Sequence, residues 1–458
     1  AANGAALVPV TAAGLPLTMA ALQTAAGHCG AFLVTPLAGG ALVFLTFAIG
    51  RRVASPGTGL TAAWLVATSP ALLFMLMWPM SDVPAAAWTT AMICLLLWQS
   101  PAAALGAGLA ASAAVLTRGA LAGVAAAAVV WLIALAIRAR DRKRPWLRVA
   151  LFGLGVVPGA VITAWLNSHW YGSPLASGYG TTGELFAADR AATNGLNYLR
   201  SLVETSPIAL AGVAALAWPF RRLWPSPAAP WPALLLAAVA AAACAPYLIY
   251  HSYEPWWYLR FLLPAWPALF VGAAVIGDWI RSRGRAAAAV AAIVVIGSGV
   301  SGLYTARARG VFAIAAEERR YVTVARLIAA STEPDAVILT GLHAGTLRYY
   351  AGRDTIRFDV LDPAWLDRAV AWLASRGRDP YILVEDWEHP AFNARFGAAN
   401  GLGHLAWTPM LAWQSTRVRG WVFLYDPVRR DRPTARPGPE IERTVPFCAA
   451  PADRSAPR

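Results

Sequence analysis

The chain has 458 residues, of which 58% are hydrophobic and only 14% charged, with a mean hydropathy of +0.51. Soluble domains carry about 25% charged residues, so a string of soluble globular domains is excluded. The net charge of +14 would suit nucleic acid, but the arginines cluster between apolar runs, at Arg51-Arg52, 138–148, Arg221-Arg222 and 281–285. That is the placement of loops facing anionic headgroups, so membrane lipids are expected partners and nucleic acid is not.

In chain order, residues 1–27 read as part of an outer loop. Apolar runs approaching the roughly 20 residues that cross a bilayer follow at 28–50, 60–78, 83–99, 102–117, 119–137, 147–166, 207–220, 231–250, 261–280 and 286–304. The runs at 102–117 and 207–220 are short. Many of the 21 tryptophans lie near run ends, as interfacial aromatics do. The arginine clusters fall in alternate connections, which the positive-inside rule assigns to the cytoplasm. The connections at 79–82, 118, 167–206 and 251–260 then face outward, together with everything after about residue 305. The expected fold is a polytopic α-helical membrane protein of about ten spans (28–304), followed by a small outer α/β domain (305–427).

In that outer domain, Val337-Ile338-Leu339, 355–358, 381–384 and 418–425 read as strands, and 364–375 as a helix. The Pro- and Arg-rich tail at 428–458 is expected to be disordered. The four cysteines, Cys29, Cys94, Cys244 and Cys448, form no CxxC pair, which argues against a disulfide framework or a zinc site.

Each outward connection carries polar chemistry. Asp82, in Pro79-Met80-Ser81-Asp82-Val83-Pro84, stands at a helix start, where a carboxylate can cap free N–H groups or serve as a rigidly held acid. Arg118 lies between two apolar runs, where a lone arginine is costly unless it reaches headgroups or meets an anion. The loop 167–206 contains His169 and Gly178-Tyr179-Gly180-Thr181-Thr182-Gly183. Formally this is G-x-G-x-x-G, but no βαβ unit surrounds it, so a dinucleotide site is rejected. A mobile loop over a substrate or a plain connector remains. The fourth connection, His251 to Phe261, places Glu254 and Arg260 around Trp256, Trp257 and Tyr258. Arg260 opens a span, where the positive helix end disfavours a cation and an anion such as phosphate would relieve it. Asp82, Arg118, Glu254 and Arg260 are therefore expected to share one pocket. Its carboxylates could act as general base or hold a divalent cation. His169, Tyr179, Trp257 and Tyr258 are candidate substrate contacts. In the outer domain, Gly341-Leu342-His343-Ala344-Gly345 and Glu385-Asp386 follow strands, where ligand sites occur, although ordinary turn chemistry, which Gly and Asp also suit, is the preferred reading.

The order Gly14-Leu15-Pro16, Pro36-Leu37, Ser69-Pro70, Ser81-Asp82-Val83-Pro84, Thr117-Arg118 and Tyr258-Leu259-Arg260-Phe261-Leu262-Leu263-Pro264 resembles the GT-C glycosyltransferases, in particular the protein mannosyltransferase and aminoarabinose transferase group. The resemblance spans about residues 10–305. It implies transfer of a sugar from a polyprenyl-phosphate donor to a lipid, glycan or protein acceptor at the outer face of a bacterial inner membrane. It also implies a main acid in the first outer loop. This chain reads as beginning inside that loop, with Asp82 matching a second acid and Glu254 a weaker match. Arg118 and Arg260 match positions for the lipid phosphate. The alternatives are a transporter or flippase, for which ionisable residues near the bilayer midplane are expected, and a non-catalytic envelope assembly protein.

Overall fold

The computed structural model describes residues 10–140, 143–180, 182–218, 223–224, 230–416, 418, 420–438, 441–442 and 448. The chain divides into two compact units, Ala1–Phe312 and Ala313–Arg458.

The first unit is helical. After α1 (Gly14–Ala26) come α2 (Val34–Val53), α3 (Pro56–Ala67), α4 (Pro70–Leu76), α5 (Asp82–Leu96), α6 (Pro101–Thr117), α7 (Ala122–Arg138), α8 (Lys143–Tyr171), α9 (Ala191–Thr205), α10 (Ala209–Ala217), α11 (Trp231–Leu248), α12 (Trp266–Arg281) and α13 (Arg285–Ala308). Helix starts match the sequence: Ser55 and Ser100 accept a backbone N–H at the starts of α3 and α6, each followed by proline, as N-capping favours.

Every apolar run contains a helix, but not every one of these helices is long enough by itself for a full crossing. Six helices among the described residues are long and apolar enough to cross a membrane, or seven if α3 and α4, bent by 59° at Thr68–Ser69, form one span. α5 and α6 have 15 and 17 residues and α10 has 9. At 1.5 Å per residue these reach only about 22, 25 and 14 Å against a core of about 30 Å. The connection 167–206 is also more ordered than expected. α8 runs through to Tyr171, and α9 is amphipathic, with buried Asn194 donating from Nδ2 to the carbonyls of Leu248 and Tyr250 at 3.0 and 2.8 Å.

Small residues set the closest helix packing. A Cβ on Gly108 of α6 would lie 2.2 Å from the carbonyl oxygen of Phe152 in α8, and one on Gly159 of α8 would lie 2.7 Å from Cα of Ser112 in α6. Backbones approach this closely only where side chains are absent. Gly108→Val is expected to lower the thermal midpoint, at a cost of at least about 1–3 kcal/mol from overpacking. Gly106→Val, whose Cβ would meet only Leu95 Cδ1 at 3.4 Å, is expected to cost much less.

The second unit is an α/β sandwich. α14 (Arg319–Ser331) precedes β1 (Val337–Thr340), β2 (Asp354–Arg357), α15 (Leu366–Ser375), β3 (Pro380–Glu385), α16 (His389–Phe396), β4 (Leu411–Gln414) and β5 (Trp421–Tyr425). The sheet order is β2-β1-β3-β5-β4, with β1 parallel to β2 and β3, β5 antiparallel to β3, and β4 antiparallel to β5. Alternation along the central strands builds two cores. Ile338, Tyr381 and Leu383 pack with Val324 and Ile328 of α14, while Leu339, Ile382 and Val384 pack with Leu366, Val370, Phe392 and Phe396. Burial on both faces explains why β1 and β3 are continuously apolar.

The expected strands and helix are present, and β4 is an additional strand. The start of the tail is not free. Ala435 pairs with Leu411, Thr434 donates to the carbonyl of Pro409, and buried Glu442 accepts from Ser415 and Thr416. These bonds satisfy the open edge of β4, which a Pro-rich composition does not reveal. Residues 449–458 lie outside the described residues.

Candidate functional site

The site is built where α5 begins and α6 ends. Ser81 occupies the cap position of α5 and makes no side-chain cap bond, while Asp82 is the first helical residue. The Asp82 carboxylate does not cap α5. Its Oδ1 accepts from Arg118 Nη1 at 2.6 Å, with side-chain exposures of 3% and 15%. Arg118 has an extended backbone (φ −155°, ψ 103°) that separates Thr117 from Gly119 and frees the side chain from both neighbouring helices. Its buried charge is thus compensated by a carboxylate rather than by headgroups.

Aromatic rings wall the pair. The Arg118 guanidinium lies 5.3 Å from the Tyr247 ring centroid and 5.0 Å from that of Phe261. Arg260 lies 5.1 Å from both Tyr258 and Phe261. Both guanidinium groups therefore approach the Phe261 ring and are at most about 10 Å apart. Tyr247 stacks on Phe261 at 4.8 Å and Tyr253 on Tyr258 at 3.9 Å. A cation against such rings gains about 0.5–2 kcal/mol.

Arg260 differs from Arg118 in having no counter-charge. Its Nη1 contacts Met80 Sδ at 3.2 Å, its Nε is buried without a partner, and it meets no carboxylate among the described residues. Thioether sulfur is a weak acceptor, so the half-buried guanidinium is left largely uncompensated.

The structure brings together Asp82, Arg118, Arg260 and Tyr258, with Tyr179 close enough to act electrostatically on Arg118. It does not bring in the others. Glu254 is exposed and bears on Arg200 of α9. Trp257 stacks on Phe74 at 6.0 Å. His169 is exposed, stacks on Trp165 at 5.7 Å, and touches none of Asp82, Arg118 or Arg260. Glu254 and His169 sit on connections expected from sequence to face the same way as the cluster, but helix packing rather than loop membership decides which side chains converge. Met80, Tyr247 and Phe261 were not singled out from sequence. The three-residue spacing of Tyr247, Tyr250 and Tyr253 was the available signal.

For a divalent cation the fit is poor. Asp82 is engaged by Arg118, and among the described residues no three of His, Cys, Asp and Glu come together in metal-binding geometry.

The second unit contains its own charged cluster, where ordinary turn chemistry was the simpler expectation. Glu385, at the end of β3, accepts from His343 Nε2 at 2.9 Å, from Arg320 Nη1 at 2.9 Å through both oxygens, and from Trp387 Nε1 at 2.6 Å. Burial pushes its carboxyl up, but the bonds from His343, Trp387 and Arg320 outweigh this and hold it at about 2. Glu388 closes the turn by accepting from the backbone N–H groups of Glu385 and Leu342. Asp386, the neighbour of Glu385, instead binds the backbone N–H groups of Trp387 and Trp421.

No protein-family model and no curated protein sequence matches the chain. Solved structures do. The Archaeoglobus fulgidus oligosaccharyltransferase, solved with zinc and sulfate, aligns with a TM-score of 0.57 at 12% identity, over 91% of this chain and 65% of that one. This chain thus spans less than two thirds of the archaeal protein. ArnT from Cupriavidus metallidurans, solved apo and bound to undecaprenyl phosphate, aligns with a TM-score of 0.56 in both states, at 15% and 14% identity, over 91% of this chain and 87% and 88% of ArnT. At such identities the likeness is one of fold. The chain is a multi-pass membrane protein with the fold of the GT-C glycosyltransferases.

Proposed function

We propose that this protein is a membrane glycosyltransferase that moves a sugar from a polyprenyl-phosphate donor to a lipid, glycan or protein acceptor at the outer face of a bacterial inner membrane. The observation that carries the proposal is the pair of arginines around Phe261, of which only Arg118 has a carboxylate partner. Arg260 supplies the uncompensated guanidinium that a phosphate would satisfy through its planar fork of donors. ArnT was solved with undecaprenyl phosphate, and the archaeal AglB with a dolichol-phosphate and an inhibitory peptide.

In this reading the acceptor oxygen bonds to the anomeric carbon as the bond from that carbon to the phosphate oxygen breaks. The acceptor proton passes to a carboxylate, and the polyprenyl phosphate leaves as an anion stabilised by arginine. Asp82 is the carboxylate at the cluster. It keeps acceptor capacity beyond its bond to Arg118.

The orientation rests on the arginine clusters and on disulfide-bonded cysteines at positions 29 and 448, since disulfides persist in oxidising, extracytoplasmic compartments. The bonded state of Cys29 and Cys448 also corrects the expectation drawn from cysteine spacing, whereas Cys94 and Cys244 are free thiols.

The test is transfer from a labelled polyprenyl-phosphate sugar in proteoliposomes. Arg260→Ala should lower kcat/KM by about 10- to 100-fold, chiefly through KM for the donor, because a hydrogen bond to a charged group contributes about 1.5–3 kcal/mol. Arg260→Lys should recover part of the loss. Undiminished transfer by Arg260→Ala would remove the donor-site assignment.

A further inference from the structure

The end of α5 opposite Asp82 carries a second arginine pair. Arg148 Nη2, from α8, donates to the carbonyl of Leu96 at 2.9 Å, and Arg52 Nε, from α2, donates to the carbonyl of Leu97 at 2.9 Å. These are neighbouring carbonyls at a helix C-terminus, where cations are favoured. Capping explains one donor on each side chain but not the charge. A helix C-terminus carries about half a negative charge, against two full positive charges here. Arg148 is only 8% exposed, and its Nε is buried without a partner. Among the described residues, neither Arg148 nor Arg52 is within ion-pair distance of a carboxylate. Arg144, four residues before Arg148 and so on the same face of α8, is exposed and likewise has no acidic partner there. Exposed Trp98, beside Leu97, and exposed Trp146 on α8 suit the depth of lipid headgroups.

We infer that Arg52 and Arg148, extended by Arg144, form a phosphate-binding site at this end of α5, separate from the Asp82 cluster and independent of the function proposed above. A phosphate has the charge and the acceptor oxygens to use the guanidinium donors left over from capping. Anionic phospholipid headgroups and free phosphate share this chemistry. Occupancy would hold α2, α5 and α8 together, and α5 is the helix that begins with Asp82.

The experiment is thermal unfolding of the full chain in detergent, with phosphatidylglycerol, phosphatidylcholine or inorganic phosphate added. Phosphatidylglycerol should raise the midpoint by about 5 °C or more over phosphatidylcholine, roughly the effect of ligand at a hundred times its Kd. Arg52→Gln, a change at an exposed side chain, should abolish most of that difference. Arg148→Lys should reduce it, and Arg51→Gln, also exposed but outside the site, should leave it intact. A rise with inorganic phosphate equal to that with phosphatidylglycerol, lost in Arg52→Gln, would assign the site to free phosphate. The inference is overturned if Arg52→Gln and Arg51→Gln respond to phosphatidylglycerol like the wild type. It is also overturned if neither phosphatidylglycerol nor phosphate exceeds phosphatidylcholine.

Discussion

Asp82→Asn is expected to slow sugar transfer by at least about 100-fold, the low end of what a positioned proton acceptor contributes. The loss should fall on kcat, because the isosteric amide can still occupy the space beside Arg118. Stability is the competing explanation. Removing one member of a buried ion pair costs about 3–5 kcal/mol, and both side chains here are largely buried. The double variant Asp82→Asn/Arg118→Gln separates the two effects, since it leaves no uncompensated charge. It should recover much of the thermal midpoint lost by Asp82→Asn while remaining inactive. If the double variant regains transfer together with stability, Asp82 is a structural partner of Arg118 and the base lies elsewhere.

The second large effect belongs to the C-terminal unit. Glu385→Gln is expected to destabilise it by about 3 kcal/mol, leaving Arg320 and His343 without their shared carboxylate. For a unit of this size that corresponds to roughly 10 °C in midpoint. The pH dependence has a definite sign. The folded-state carboxyl is held at about 2, below its ordinary value of 4.5. Its contribution is therefore fully present above the ordinary value and is lost as pH falls toward 2. Midpoints followed by tryptophan fluorescence should separate wild type from Glu385→Gln at neutral pH and converge in strong acid. A constant separation down to about pH 2 would show that the ionised carboxylate is not what holds the cluster. Trp387, which donates to Glu385 at 2.6 Å, gives the measurement a local reporter.

Part of the site was legible because α5 and α6 are short helices joined by a few residues. Such neighbours pack antiparallel, so a residue that opens the first and one that follows the second must meet, as Asp82 and Arg118 do. Arg260 was legible as a misplaced cation and, through the resemblance, as a position for a lipid phosphate. That it shares Phe261 with Arg118 depends on the path of the turn at Trp256–Ala265 and on α9, whose Asn194 and Asn197 bind the carbonyls of the 248–253 segment. Glu254 flanks the same aromatic run as Arg260 in sequence, yet it faces solvent.

The same division runs through the molecule. Apolarity, arginine placement and strand alternation are properties of a local segment, so they specified a polytopic helical protein and the outline of an α/β domain. Pairing is not local. The bond from Trp266 Nε1 to Ser69 Oγ at the 59° break between α3 and α4, the Glu385 cluster drawn from α14, the β1 loop and β3, and the anchoring of Ala435 on β4 all join residues distant in the chain. Each depends on which surfaces pack. A charge finds its partner only when two backbones are brought within a few ångströms, and that distance is set by the fold rather than by spacing along the chain.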